Sequence, residues 1–323
     1  MKKTNIKFEL LTDIDMVNFV ESGIRGGLSQ ISKRHAEANN KYMKTYEKSK
    51  EDSYITYLDA NNLYGGAMSE YLPYKSFKWN KDIWTREKIL DLNDKGDKGY
   101  LFAVDLHIPV KLHDYFNGYT PLPLNKSIKK KDLNEWQQKD YNETKVEKLC
   151  CSLEDRKDYV VNYRMLKLAL SLGYELKNVN KVLEYEQKPF LKEYIDLNTN
   201  LRTKANNDFE KDFYKLMNNS VFGKTMENVK NRIEFRLLNN EGQVDRLQSK
   251  MNNFTIFDDN LVGVHLQKSK VVMNKPIYIG QNVLDDSKYT MMNFHYNFMK
   301  KHIKDENLSL LFTDTDSLCY HIK

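Results

Sequence analysis

At opposite ends of this chain two apolar stretches of strand length lead into aspartates, and those acids can act together only if the fold brings their strands into one sheet. Tyr54-Ile55-Thr56-Tyr57-Leu58 is aromatic and β-branched and delivers Asp59 at its end. Leu308 to Phe312 is followed by the polar Thr313-Asp314-Thr315-Asp316 and a second apolar run, Leu318 to Ile322, a pattern that predicts a hairpin with acids at its tip. Carboxylates on separate strands stand side by side only when the strands are neighbours, so a shared sheet is predicted. Gly65-Gly66 predicts a bend soon after the first strand.

Between the acidic strands the pattern is mainly helical. Val160, Tyr163, Leu166 and Leu170 predict an amphipathic helix over 159–172, ending near Gly173, and a second helix is predicted over 204–222. On the second helix a 100° step per residue gathers Lys211, Lys215, Asn219 and Phe222 into one stripe. Phe209, Phe213, Leu216 and Met217 lie opposite, as the expected packed face. Gly223 then marks a helix end or a close backbone approach. Pro109, Pro121 and Pro123, with Lys126, Lys129, Lys130 and Lys131, predict a basic loop that is either solvated or in contact with phosphate.

Composition narrows the function classes. A chain of 323 residues with 40% hydrophobic content can bury a core spread over two or three subdomains. A net charge of +6 suits a polyanionic partner only where the cations cluster; a merely basic soluble protein is an equal reading. No run approaches the roughly eighteen apolar residues of a membrane span, and the mean hydropathy is −0.71, so no membrane partner is expected. Met1-Lys2-Lys3 is basic, but Glu9, Asp13 and Asp15 interrupt the apolar region that a secretory signal needs. Cys150 and Cys151 are adjacent and Cys319 stands alone, which offers neither a zinc pair nor a disulfide framework and fits a reducing compartment. The seven histidines contain no His-Glu-x-x-His, which argues against a zinc hydrolase.

What remains is a set of acids and a set of cations. An acid-x-acid turn alone usually caps or solvates a loop, and a lysine stripe alone is usually a solvated helix face. Acids pinned at a hairpin tip between two apolar strands repel one another, and a divalent ion relieves that repulsion. Mg²⁺ takes a few carboxylates plus substrate phosphates, so Asp59, Asp314 and Asp316 suffice for it. Lysines one turn apart become useful when a triphosphate lies across them. Acids holding metal and cations facing phosphate are the needs of nucleotidyl transfer. Arg25-Gly26-Gly27 is a Gly-rich turn with one cation, read equally well as a plain turn or as a nucleic-acid contact.

Asp59-x-x-Asn62-Leu63-Tyr64, then Lys215-x-x-x-Asn219-Ser220-x-Phe222-Gly223, then Phe312-Thr313-Asp314-Thr315-Asp316-Ser317 resembles, in order and content, motifs A, B and C of family B DNA polymerases. The chain is most similar to the protein-primed branch, and within it to Polinton or Maverick transposon, virus-like and linear-plasmid members. Ile24-Arg25-Gly26-Gly27 resembles the short Gly-Gly motif that precedes motif A in that branch. The resemblance implies an α/β (α+β) fold: a polymerase palm with an antiparallel sheet, helical fingers and two insertions of the protein-primed type. It implies a pre-palm segment and first palm strand over 1–75, a first insertion that contacts a priming protein over 76–160, fingers over 161–230, a second insertion over 231–290 and the palm hairpin over 291–323.

The roles that the resemblance implies fall residue by residue. Asp59, Asp314 and Asp316 would be the catalytic acids; Asp59, Asp316 and the backbone carbonyl of Ala60 would hold two Mg²⁺ ions, or Mn²⁺. Lys211, Lys215, Asn219 and a further cation from Arg202 or Lys204 would face the incoming dNTP. Tyr64 would stack beneath its sugar and exclude a 2′-hydroxyl, and Phe222 would back the nascent base pair. Gly26 and Gly27 would touch the template strand. Expected partners are primer-template DNA, dNTPs and a terminal priming protein. Three positions depart from the pattern: Asn62 where many relatives have Ser, Gly65 where many have Pro, and Phe222 where Tyr is usual. With neither a thumb after Asp316 nor an exonuclease before Gly26, the chain is expected to be a polymerase fragment. The alternative reading is a truncated, inactive remnant that binds DNA without incorporating nucleotides.

Overall fold

The computed structural model describes residues 6–139, 141, 147–268 and 270–323, so the basic start Met1-Lys2-Lys3 lies outside the described residues. The fold is mixed α/β, with every strand pairing antiparallel. In chain order the strands are β1 (Ser29–Ile31), β2 (Tyr54–Asp59), β3 (Leu72–Trp79), β4 (Lys98–His107), β5 (Leu124–Ser127), β6 (Glu147–Cys150), β7 (Arg156–Asn162), β8 (Glu175–Lys188), β9 (Glu234–Leu238), β10 (Met251–Asp258), β11 (Leu261–Leu266), β12 (Leu308–Asp314) and β13 (Ser317–Ile322). Among the described residues the α-helices of four residues or more are α1 (Ile14–Ser22), α2 (Leu63–Met68), α3 (Arg86–Leu90), α4 (His113–Phe116), α5 (Tyr163–Ser171), α6 (Lys192–Thr203), α7 (Asp208–Thr225), α8 (Glu241–Leu247) and α9 (Ile277–Phe294). Among the described residues no helix is long and apolar enough to cross a membrane.

The predicted shared sheet is present. β12 and β13 form the hairpin, β2 pairs with β13, and β1 closes the other edge, in the order β1-β12-β13-β2. A second sheet, β3-β8-β4-β7, carries the densest part of the core, with Leu101, Phe102, Val104 and Leu183 all inaccessible. A three-stranded sheet, β10-β11-β9, and the β5-β6 pair stand apart from these.

The helical expectation for the middle of the chain fails, because β3 to β11 all lie there. Residues 159–162 are strand rather than helix. Val160 and Val161 pair with Ala103 and Phe102, and the helix starts only at Tyr163, where the Asn162 side chain accepts a hydrogen bond from the Met165 amide. Two β-branched residues beside a strand partner outweigh a helical spacing that spans one turn. The segment boundary expected at residue 160 therefore falls inside β7.

The helix predicted over 204–222 is present but starts later, at Asp208. α6 ends at Thr203 and α7 begins at Asp208, because Asn207 caps the Glu210 amide while the Glu210 carboxylate accepts from the Asn206 amide. The face expected to be packed is also wrong: Phe209, Phe213 and Leu216 are exposed, and Asn218 and Thr225 are the buried residues. The helix rests on α6, α2 and α9 through polar as well as apolar contacts, as where Asn198 donates to Asn218. α7 runs on to Thr225, and no atom lies within 4 Å of a Cβ placed on Gly223, so close backbone approach does not explain that glycine. The basic segment is more than a loop: Lys126 lies in β5 and pairs with Glu154, and Lys130 and Lys131 lie in a short 3-10 turn. Cys150, Cys151 and Cys319 are free thiols.

α9 passes between the two largest apolar clusters and is buried on nearly every side. Its polar residues are satisfied from neighbouring elements. Asp285 accepts from the Asn162 amide, and Asp286 accepts from the Asn162 side chain and pairs with Arg164. Beyond its end, His295 lies buried against the Tyr320 hydroxyl of β13.

Burial, aided by the nearby Lys300 charge, lowers the His295 pKa from 6.5 to about 3. Between those values the unfolded chain takes up a proton that the folded one refuses, so stability falls as pH falls, by at most roughly 1.4 kcal/mol per pH unit. Denaturant unfolding of His295→Gln is expected to lose less stability on acidification through that window than the unsubstituted chain. Parallel pH profiles would remove His295 as the cause.

Candidate active site

The acids lie at one end of the four-stranded sheet. Pairing aligns Ser29 with Asp314, Asp314 with Ser317, and Ser317 with Asp59, so one row crosses all four strands. The Ala60 amide donates to the Asp316 carbonyl at 2.7 Å, which ties the end of β2 to the hairpin tip. Thr315 makes the turn at φ 56°, a left-handed conformation costly for a β-branched residue. The surroundings hold it there: its amide donates to the Leu28 carbonyl at 2.9 Å, and Thr313 Oγ1 donates to the Ser317 carbonyl.

The acids differ in environment. Asp316 is half-buried, and its pKa is raised by that burial and then by the Asp59 charge, with Asp314 adding to the rise and Lys215 opposing it. Asp59 and Asp314 are exposed, and Asp314 accepts a short hydrogen bond from Ser29 Oγ. Among the described residues no three acids, histidines or cysteines converge tightly enough to cage a metal. The pair Asp59 and Asp316 still fits an ion that takes one or two carboxylates and completes its shell with substrate phosphate. The mutual repulsion raising Asp316 is what such an ion relieves.

A cleft of about 540 Å³ opens between α2, α6 and α7, lined in part by Asn61, Gly66, Arg202, Lys211, Lys215 and Asn218. Arg202 belongs to its lining and Lys204 does not; Lys204 caps the exposed end of α6. Lys215 links the two features, since it lines the cleft while its charge reaches Asp316. Asn219, half-buried on the same helix, is not part of that lining. Tyr64 stacks on Phe222 with ring centroids 4.7 Å apart and planes inclined by 17°, so side chains of α2 and α7 form one aromatic step.

Two of the unusual residues prove to be coupled. The bend after β2 is made by Asn62 at φ 57°, not by Gly65-Gly66, both of which lie inside α2. A Cβ on Gly65 would sit 2.0 Å from Asn62 Nδ2. Asn62 therefore occupies the space that any larger residue at 65 would need. Sequence reasoning missed Ser29, the Leu28 carbonyl and the turn residue Thr315, because their roles arise from β1 lying beside the hairpin.

Gly26 and Gly27 also separate. Nothing lies within 4 Å of a Cβ on Gly26, whereas one on Gly27 would meet Thr315 Oγ1 at 2.4 Å. Gly27→Ala is expected to cost about 1–3 kcal/mol by overpacking against the turn. Gly26→Ala is expected to leave the unfolding midpoint nearly unchanged, and equal losses in denaturant unfolding would contradict the assignment.

The sequence profile of the family described as DNA polymerase type B, organellar and viral, matches residues 3–301. Among solved structures, the fold is similar to Phi29 DNA polymerase complexed with primer-template DNA and incoming nucleotide substrates, at 19% identity and a TM-score of 0.55, covering 100% of this chain and 46% of that one. The orthorhombic crystal form of Phi29 DNA polymerase is similar at 19% identity and a TM-score of 0.53, with the same coverage. At this identity the likeness speaks to the fold, and this chain spans less than half the length of those polymerases. No curated protein matches.

Proposed function

This chain belongs to the organellar and viral type B DNA polymerases, and from that premise we propose that it carries the palm and fingers of a DNA-directed DNA polymerase of the protein-primed kind. The observation that carries this reading is the pairing of Asp59 at the end of β2 with Ser317, directly after Asp316 of the hairpin turn, so that the Asp59 charge reaches Asp316 next to a cleft whose cations include Lys215. The sheet of β1, β2, β12 and β13 serves as the palm, and α6 and α7 serve as the fingers. The span proposed as the first insertion, 76–160, then holds β4 and most of β7 as well as the β5-β6 pair, and the span proposed as the second, 231–290, holds the β10-β11-β9 sheet and most of α9.

In the proposed reaction the primer 3′-oxygen, or a protein hydroxyl at initiation, bonds to the α-phosphorus of a dNTP while the bond to the β-phosphate breaks and pyrophosphate leaves. Divalent metal, when bound, lowers the pKa of the attacking hydroxyl and neutralises charge on the leaving group. Asp59 and Asp316, with the Ala60 carbonyl, would hold it, and Asp314 stays tied to Ser29 as a brace for the turn. Lys211, Lys215 and Arg202 lie where a triphosphate would cross α6 and α7, and they offset charge that grows on its oxygens in the transition state. Tyr64, braced by Phe222, stands beneath the sugar, where a 2′-hydroxyl would collide with it. Gly26, which has open space around it, is the residue of the Gly-Gly pair free to meet the template strand.

Primer extension on a short primed template with Mg²⁺ and four dNTPs tests the reading. Incorporation is expected, with a loss of at least about a thousandfold in Asp316→Ala at an unchanged unfolding midpoint. DNA binding without incorporation would favour the inactive remnant. Activity retained in Asp316→Ala would refute the site.

A further inference from the structure

One buried charge is not explained by the acids, the cleft or the cores. Lys288 lies on α9 and is buried, with its ammonium donating to the Arg25 carbonyl at 2.6 Å and to the Leu284 carbonyl at 3.2 Å. Burying an ammonium costs several kcal/mol unless charge and hydrogen bonds compensate it. The nearest compensation is Asp285, one turn earlier on the same helix, whose charge opposes the loss of the lysine proton, while the Arg25 charge favours it. A methionine would fill the same space without that cost, so the amine has a use that filling space does not supply.

That use follows from what Arg25 leads into. The Arg25 guanidinium lies 3.7 Å from the Tyr159 ring centroid and donates to the Val160 carbonyl, while its own carbonyl is held by Lys288. Two residues on, Gly27 packs against the Thr315 side chain, Leu28 accepts the Thr315 amide, and Ser29 donates to Asp314. Gly27, Tyr64, Ser287, Lys288 and Thr315 line one crevice of about 10 Å³, too small for more than a single water. Lys288 thus reaches the catalytic turn through a segment only a few residues long.

We propose that Lys288 is a positioning residue for the acidic turn: by fixing the Arg25 carbonyl it aligns residues 25–29, which in turn hold Thr315 in its left-handed conformation and set Asp314 and Asp316. The proposal rests on the polymerase reading only for what the turn does, not for how it is held. Lys288 touches no reacting atom in this account and is not a catalytic residue.

Amide hydrogen exchange on the full chain, without nucleotide or DNA, tests it. In Lys288→Met, exchange at Thr315 and Asp316 is expected to rise roughly tenfold, the loss of about one hydrogen bond's worth of protection. Exchange in β4 and β8 is expected to rise by a clearly smaller factor, set by the global stability lost as the buried Asp285 loses its cation. Lys288→Arg, which keeps a buried donor, is expected to restore protection at the turn. Should the methionine variant not fold, Lys288→Gln, too short to reach the Arg25 carbonyl, carries the same expectation. Unchanged exchange at the turn, or an equal rise across β4 and β8, would overturn the proposal. Because no substrate is present, failure of primer extension leaves this result standing, and failure here leaves the polymerase reading standing.

Discussion

The left-handed turn at Thr315 is the constraint on which the arrangement of acids depends. A β-branched residue does not adopt that conformation unless its surroundings compensate a cost of about 1–3 kcal/mol. Here the compensation comes from a short strand with little pairing of its own, which lends the Leu28 carbonyl to the Thr315 amide and the Ser29 hydroxyl to Asp314. That strand is in turn anchored to β7 through Arg25 and to α9 through Lys288. α9 is fixed where it is because Asp285 and Asp286 meet the end of β7 at Asn162 and the start of α5 at Arg164. Breaking one partner of such a buried set leaves an uncompensated charge, which makes α9 a rigid reference for everything mounted on it.

This arrangement also explains why the glycines near the site are not interchangeable. Gly27 and Gly65 are each small because a named side chain lies where a Cβ would go, Thr315 in one case and Asn62 in the other. Gly26 has open space, and its proposed use is an approach to DNA. Chemistry and packing thus divide a motif that reads in sequence as a single turn.

The acid-bearing strands were legible because each joins strong local propensity to a polar end, and their shared sheet follows from the need to bring those ends together. β2 and the β12-β13 hairpin match the expectation closely. The β3-β8-β4-β7 sheet was not legible, since Val160 and Tyr163 satisfy a helical spacing while the partner that makes 159–162 a strand, β4, lies far away in sequence. On α7 the lysine stripe was readable but the packed face was not. Exposed Phe209, Phe213 and Leu216 carry the apolar signal, whereas burial falls on Asn218 and Thr225, whose contacts depend on α6 and α9. The local break at Asn206-Asn207 was present in the sequence as a capping pattern and was hidden by the longer periodicity around it. Lys288 carried no signal at all: a lysine in a helix reads as solvated until the helix is known to be buried.

Asp59 and Asp316, far apart in the sequence, are proposed to form one metal site. Electron paramagnetic resonance of Mn²⁺ titrated into the chain with a dNTP tests it most directly. The account predicts a saturable site that is lost in both Asp59→Asn and Asp316→Asn while each variant stays folded. Mn²⁺ binding of undiminished strength in either variant would contradict it.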